Sequence, residues 1–66
     1  MGKGVVNPMV PIGTLRFAQA FRTTLTRREG TIESTAGPDP DGNILVGFGD
    51  GPVRKVRAGL MVEWLQ

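Results

Sequence analysis

The sequence predicts a small all-β domain of about five strands, and three observations support this fold class. The pair Asp50-Gly51 lies between two β-prone runs, where a tight turn needs the positive φ that glycine adopts freely. Six consecutive turn-forming residues occupy positions 37–42. Ten glycines and five prolines, with only 6% aromatic residues, are typical of short strands joined by many turns.

The runs on either side of Asp50-Gly51 are predicted to form a hairpin, and residues 29–34 supply a third strand before it. Together these segments make a three-stranded meander. In residues 43–49 the side chains alternate between an apolar inner face and an outer face of smaller residues. The inner set is Ile44, Val46 and Phe48, and the outer set is Leu45, Gly47 and Gly49. Gly47 and Gly49 either allow close approach of a backbone or ligand, or relieve strain where the sheet bends.

The strand after Asp50-Gly51 breaks strict alternation, because Val53 and Val56 lie three positions apart. A bulge or an early turn residue is therefore predicted at Val53. If Val56 faces inward, Lys55 and Arg57 face outward together, and Arg54 must reach the rim or find a partner. The apolar residues between Leu60 and Leu65 then form a short turn and the last strand.

Residues 14–26 fit two periodicities. With period 2, Leu15, Phe17 and Phe21 share one face of a strand; with period 3.6, Thr14 caps a short helix with an apolar stripe. We expect residues 14–21 to be strand or short helix, and residues 22–27 to be extended and to lead into the meander.

Residues 1–11 contain two glycines and two prolines without a sustained period, so we expect a flexible N-terminal arm before a domain at residues 12–66. The apolar residues between Val5 and Val10 are suited to covering a sheet edge or a neighbouring subunit. No segment has the apolar length of a membrane span or of a secretory signal, which predicts a cytoplasmic protein without membrane contact.

The formal charge is +2, and its distribution predicts a basic patch. One group of cations precedes the strand predicted at residues 29–34, and another lies on the strand after Asp50-Gly51. A small barrel can bring both groups to one rim. The candidate residues for binding nucleic-acid phosphates are Arg22, Arg27, Arg28, Arg54, Lys55 and Arg57. The alternative is that these side chains are solvated strand faces paired with nearby carboxylates. Phe48 and Trp64 are the candidates for stacking on bases, although a structural role suits them better.

Three segments resemble the SH3-like small barrel in the style of KOW and Tudor domains. Arg27-Arg28-Glu29-Gly30-Thr31-Ile32 resembles the basic turn that enters a KOW-type second strand, and Ile44-Leu45-Val46-Gly47-Phe48-Gly49-Asp50-Gly51 resembles the hairpin of these barrels. Val56-Arg57-Ala58-Gly59-Leu60 resembles their closing turn. The resemblance covers residues 22–65 and implies a barrel of about five strands with a binding role. With four aromatic residues and no tyrosine, a methyl-lysine cage of the Tudor type is not expected.

The sequence contains few of the residue types that catalysis or cofactor binding requires. Histidine, cysteine and tyrosine are absent, so zinc sites and most nucleophilic or general-base chemistry are not expected. The acidic run from Asp39 to Asn43 superficially resembles a calcium loop, but the downstream glutamate of such a loop is missing, and a rigid turn is expected instead. We expect a non-enzymatic binding module without metal or cofactor. The competing hypothesis is a protein-interaction or oligomer-forming adaptor that uses the apolar arm and an edge strand.

Overall fold

The chain forms one antiparallel sheet of six short strands, as seen in a computed structural model that describes residues 6–49 and 51–65. The strands are β1 (Met9–Pro11), β2 (Ala20–Arg22), β3 (Glu29–Ile32), β4 (Asn43–Gly47), β5 (Arg54–Arg57) and β6 (Met61–Leu65). Their order across the sheet is β1-β6-β2-β3-β4-β5. One turn of 3-10 helix, Ile12–Thr14, is the only helical element of the described residues. The all-β prediction is confirmed, with six strands where about five were expected.

The additional strand lies within the predicted N-terminal arm. The structure describes residues 6–11 of that arm, and Met9–Pro11 form β1, which pairs with β6. The backbone nitrogen of Trp64 also donates to the carbonyl oxygen of Pro8 at 2.9 Å. This part of the arm is therefore continuous with the sheet.

The sheet curls into a half-barrel around a small apolar core. The alternation of β4 is as predicted, because Ile44 and Val46 are buried whereas Leu45 is exposed. The other buried apolar residues are Ile12, Leu15, Phe21, Ile32 and Val62, and Val10, Phe48, Val56 and Trp64 pack against them. Burial of each large apolar side chain contributes about 1.5–3 kcal/mol, which explains how so short a chain holds this curl.

The meander β3-β4-β5 is confirmed, including the hairpin of β4 and β5, in which Val46 pairs with Arg54 and Ile44 with Val56. The turn predicted at Asp50-Gly51 includes Asp50, which lies outside the described residues. Val53 lies in the loop before β5 and is 54% exposed. Residues 54–57 pair with residues 43–46 in unbroken register, so β5 contains no bulge.

Ala20–Arg22 form the strand β2, in agreement with the strand alternative, whereas residues 14–19 and 23–27 differ from the prediction. The 3-10 turn ends at Thr14, and the backbone nitrogens of Ile12 and Gly13 donate to the carbonyl oxygens of Leu60 and Ala58 at 2.7 and 2.8 Å. These bonds tie the segment to the turn before β6. Ala18 then takes a positive φ of 71°, which ends any continuous strand or helix before β2.

The expected extension of residues 22–27 is wrong beyond Arg22. Residues 24–26 form a turn, and Arg27 has a φ of 54°. The reason is local hydrogen bonding. The hydroxyl oxygens of Thr23 and Thr26 lie 2.6 Å apart, and the backbone nitrogen of Arg28 donates to the Thr23 hydroxyl at 2.9 Å. The Thr23 hydroxyl thus accepts from a backbone N–H group that a longer β2–β3 strand pairing would otherwise use.

The loop between β3 and β4 contains the rigid turn predicted from its acidic run. One carboxylate oxygen of Asp39, Oδ1, accepts from the backbone nitrogens of Asp41 at 3.0 Å and Asn43 at 2.9 Å. The backbone nitrogen of Asp39 donates in turn to the carbonyl oxygen of Asn43 at 2.8 Å. The side chain of Asp39 is thus used within the turn.

Candidate nucleic-acid interface

The six predicted binding cations fall into three groups on the sheet. Arg22 lies on β2, Arg27 and Arg28 lie at the end of the turn that leads into β3, and β5 carries the remaining three, Arg54, Lys55 and Arg57. Two strands separate β2 from β5 in the sheet order, a distance of about 14 Å across a flat sheet. The groups also differ in the face they occupy and in their partners.

Arg22 is held between two carboxylates. Its guanidinium nitrogen Nη2 lies 2.8 Å from Glu29 Oε2 on β3, and its other terminal nitrogen, Nη1, lies 3.5 Å from Glu63 Oε2 on β6. The hydrogen bond with Glu29 raises the pKa of Arg22; partial desolvation opposes this effect, and the charge of Glu63 adds to it. Asn7 Nδ2 also donates to Glu63 Oε2 at 2.9 Å. The charge of Arg22 is therefore largely compensated inside the sheet.

Arg28 stacks on an aromatic ring at the end of the core. Its guanidinium carbon Cζ lies 4.6 Å from the ring centroid of Phe48, which is the geometry of a cation–π contact. The Phe48 ring in turn meets Phe21 edge-on, with centroids 5.6 Å apart and planes at 75°. Because Phe21 is fully buried, the chain Phe21–Phe48–Arg28 connects the core to an exposed cation.

Arg54 lies on the same face of the sheet as this stacked pair. It pairs with Val46, and cross-strand partners point to the same side. Phe48 is two positions beyond Val46, so Phe48 and Arg54 are diagonal neighbours, about 7–8 Å apart by the geometry of an antiparallel pair. Arg54 is exposed although its face is the inner one, because β5 is the last strand of the sheet. Arg54 therefore lies on the face of the sheet that carries Phe48, whereas the direct contact with the ring is made by Arg28.

Lys55 and Arg57 occupy the outer face of the same strand. Lys55 pairs with the exposed Leu45, and Arg57 pairs with Asn43. Both cations are exposed, as predicted from an inward Val56. β5 therefore presents cations to both sides of an edge strand, a composition that also discourages edge-to-edge pairing of sheets.

The carboxylates leave the exposed cations largely unopposed. Among residues 6–49 and 51–65, ion pairs join only Arg22 to Glu29 and Glu63. The first 28 positions of the sequence contain no acidic residue, so the turn before β3 is purely cationic. Arg27, Arg28, Arg54, Lys55 and Arg57 form no ion pair with the part of the chain that the structure describes.

The predicted stacking residues have structural positions, and a third aromatic is more accessible. Phe48 and Trp64 both pack against the core. Phe17 is 56% exposed, next to the exposed Arg16 in the turn that Ala18 ends. The period-2 pattern placed Phe17 on the inner face with Leu15 and Phe21, but Phe17 lies in a turn with Ala18 and is exposed.

Gly47 and Gly49 differ in their surroundings. A Cβ atom at Gly47 would lie 3.0 Å from Glu33 Oε2, so the glutamate side chain covers this position. Gly49 has a φ of 61° and open space around it, as a turn residue requires. Neither glycine needs a ligand to account for its presence.

Other sites offer little chemistry. Arg57 lines a wide, open recess of about 820 Å³ together with Asp41, Asn43 and Leu60. No group of three acidic side chains within the described ranges is arranged to hold a metal ion. No helix in the same ranges is long and apolar enough to cross a membrane.

Comparisons with known proteins found no significant match to this chain. No protein-family model matches, and neither a curated protein nor a solved structure is significantly similar.

Proposed function

We propose that this chain is a non-catalytic, cytoplasmic binding module with an SH3-like barrel that contacts nucleic-acid phosphates. The contact residues in this proposal are Arg27, Arg28, Arg54, Lys55 and Arg57, and Arg22 takes part only when its carboxylate partners are displaced. Such binding is electrostatic, sequence-neutral and sensitive to salt. The absence of histidine, cysteine and tyrosine supports the non-catalytic assignment.

One observation carries the proposal, namely the exposed Arg28 held over the ring of Phe48, with the exposed Arg54 on the same face of the sheet. Stacking on the ring restrains the Arg28 guanidinium and leaves its N–H groups able to donate to phosphate oxygens. Arg54 offers a second fork on the neighbouring strand, on the same face.

The test is fluorescence anisotropy of labelled single- and double-stranded DNA and RNA at two salt concentrations. The wild type is compared with a variant in which Arg27, Arg28, Arg54, Lys55 and Arg57 are all alanine. We expect binding that weakens steeply with salt and is lost in the variant. Circular dichroism of both proteins verifies that the sheet is intact.

A matched pair of single substitutions separates a local site from general charge. Arg54→Gln and Arg16→Gln each remove one positive charge from an exposed position. Arg54→Gln should lower the slope of log K against log salt by about one, whereas Arg16→Gln should leave the slope nearly unchanged. Equal effects of the two substitutions, or no binding at low salt, would contradict the proposal.

The second candidate is an interaction or oligomer-forming adaptor, and the exposed apolar residues at the β1 edge favour it. Val6 is 91% and Met9 is 48% exposed, and β1 is an end strand of the sheet, suited to strand addition. Under this proposal the molecular mass measured by light scattering rises with concentration, and deletion of residues 1–11 abolishes the rise. A constant mass over the micromolar range would remove self-association from consideration.

A further inference from the structure

The outer edge of β5 carries backbone groups that no neighbouring strand uses. In the described structure β5 is an end strand, and β4 is its one neighbour. The backbone nitrogen of Ala58 donates to the carbonyl oxygen of Gly42 at 2.9 Å, immediately beyond the paired residues. Bonded and non-bonded pairs alternate along two antiparallel strands. The backbone groups of Arg54 and Val56 therefore point towards β4, and those of Lys55 point away from it.

Other hydrogen bonds agree with this direction. The carbonyl oxygen of Leu45, which pairs with Lys55, accepts from the backbone nitrogen of Glu33 at 2.8 Å, on the side of β4 away from β5. The carbonyl oxygen of Arg57 accepts from the backbone nitrogen of Leu60 at 3.0 Å, and the edge ends there. The edge thus offers the N–H groups of Lys55 and Arg57 and the carbonyl oxygen of Lys55. None of these three bonds to another backbone group within the described part of the chain.

This combination of donors and an acceptor selects an extended peptide. A phosphate oxygen can only accept, so a nucleic-acid backbone would leave the carbonyl oxygen of Lys55 facing negative charge. A peptide strand carries N–H and C=O groups at the same spacing as the edge and satisfies both kinds of group.

The side chains of β5 select the charge of that peptide. Arg54, Lys55 and Arg57 are exposed and form no ion pair with the residues that the structure describes. Lys55 and Arg57 share the outer face about 7 Å apart, and the half-buried Val56 lies between them on the inner face. A second copy of β5 would place like charges opposite each other, which is destabilising, whereas alternating carboxylates would match the cations.

We propose that the free edge of β5 binds an extended acidic segment of another protein by antiparallel strand addition. In this complex carboxylates lie opposite Lys55 and Arg57, and an apolar side chain between them packs on Val56. The inference goes beyond the nucleic-acid contact proposed above and does not depend on it. The two ligands share Lys55 and Arg57, so they compete.

The first test measures hydrogen exchange of single backbone amides by NMR in the full chain, with and without a short peptide in which glutamate alternates with valine. Saturating peptide should slow the exchange of the Lys55 and Arg57 amides about tenfold or more. The amides of Arg54 and Val56 already bond to β4 and serve as the internal control. Unchanged exchange at Lys55 and Arg57 would overturn the proposal.

Two N-methylated peptides separate strand pairing from charge attraction. In the antiparallel complex the glutamate nitrogens point towards β5 and the valine nitrogens point away. Methylation of the glutamate nitrogens should weaken binding about tenfold, whereas methylation of the valine nitrogens should leave it nearly unchanged. Equal affinity of the two peptides, measured by fluorescence anisotropy, would mean that charge alone attracts them and would overturn strand addition.

A matched pair of protein variants locates the site. Arg57→Gln should weaken peptide binding about threefold, whereas Arg27→Gln, the same change at an exposed position outside β5, should have little effect. Equal losses in the two variants would contradict the location. If single-stranded DNA slows exchange at Lys55 and Arg57 and the peptide does not, the edge binds nucleic acid and the peptide proposal is wrong. If the chain binds no nucleic acid and the peptide still protects both amides, the proposed function fails and strand addition stands.

Discussion

The guanidinium of Arg28 lies over the ring of Phe48, with its Cζ atom 4.6 Å from the ring centroid. The contact connects an exposed charge to a ring that itself packs on the buried Phe21. Stability is therefore coupled at this point to the position of a cation that the proposed function uses. A change at Arg28 affects both the packing of Phe48 and the position of the cation.

The substitution Arg28→Lys tests this coupling, because it keeps the charge and removes the planar stacking group. We expect a loss of about 0.5–1 kcal/mol in the free energy of unfolding, as for an exposed cation–π contact. Urea denaturation followed by tryptophan fluorescence measures it. Lys55→Arg is the control, since Lys55 makes no aromatic contact in the described structure. Stability equal to wild type in Arg28→Lys would show that the stacking contributes nothing.

The substitution Glu29→Gln should tighten nucleic-acid binding under the proposed function. It removes the negative charge nearest to the Arg22 guanidinium and leaves Arg22 able to reach a phosphate. We expect affinity about two- to threefold higher than that of Glu33→Gln, which makes the same charge change on a carboxylate that does not contact Arg22. Anisotropy titration at low salt measures the difference. If both variants gain equally, release of Arg22 plays no part.

The substitution Gly30→Ala should be strongly destabilising. A Cβ atom there would lie 2.6 Å from the carbonyl oxygen of Gly47, 2.9 Å from Phe48 Cδ1 and 3.0 Å from Phe21 Cζ. Relief of such overlap costs about 1–3 kcal/mol in a packed core, and the Phe48 ring that supports Arg28 must move. The midpoint of thermal or urea unfolding reports the loss. At Gly59, where a Cβ meets nothing within 4 Å, the same substitution should be nearly neutral.

The substitution Ala18→Gly should stabilise the protein. Ala18 has a φ of 71°, a conformation that costs an L-residue about 1–2 kcal/mol. Glycine removes this strain but also increases the conformational entropy of the unfolded chain, which opposes part of the stabilisation. We expect a net increase of about 0.5–1 kcal/mol in the free energy of unfolding. The corresponding change at Ala20, inside β2, should lower stability by a similar amount. A destabilised Ala18→Gly variant would contradict the assignment of strain.

The parts of the fold that the sequence predicted are those with strong local signals. Alternation in residues 43–49 and the glycine-containing turns identified the meander, and its burial pattern follows from period 2. The segment after Thr14 escaped prediction because distant groups determine it. Its course depends on hydrogen bonds with β3, because the backbone nitrogen of Ala18 donates to the carbonyl oxygen of Ile32 and the backbone nitrogen of Ile32 donates to the carbonyl oxygen of Gln19.

The candidate site shows the same division. Exposure of Lys55 and Arg57 followed from a single inward residue, Val56. The compensation of Arg22 depended on the pairing of β2 with both β3 and β6, which brings Glu29 and Glu63 to the same arginine. Strand order is a property of the tertiary structure, and the spacing of residues along the sequence does not predict it.

The pairing of β1 with β6 also has a consequence for how the molecule folds. Asn7 and Glu63, which share a hydrogen bond, are 56 positions apart. The central strand β2 has a local neighbour in β3, but its other neighbour, β6, comes from the far end of the chain. We expect the meander, whose strands are joined by short loops, to form first, and the pairing of β6 with β2, which closes a long loop, to be the slow step. Until β6 arrives, β2 presents an open strand edge, so a chain that stops before Met61 should aggregate where the complete sheet does not.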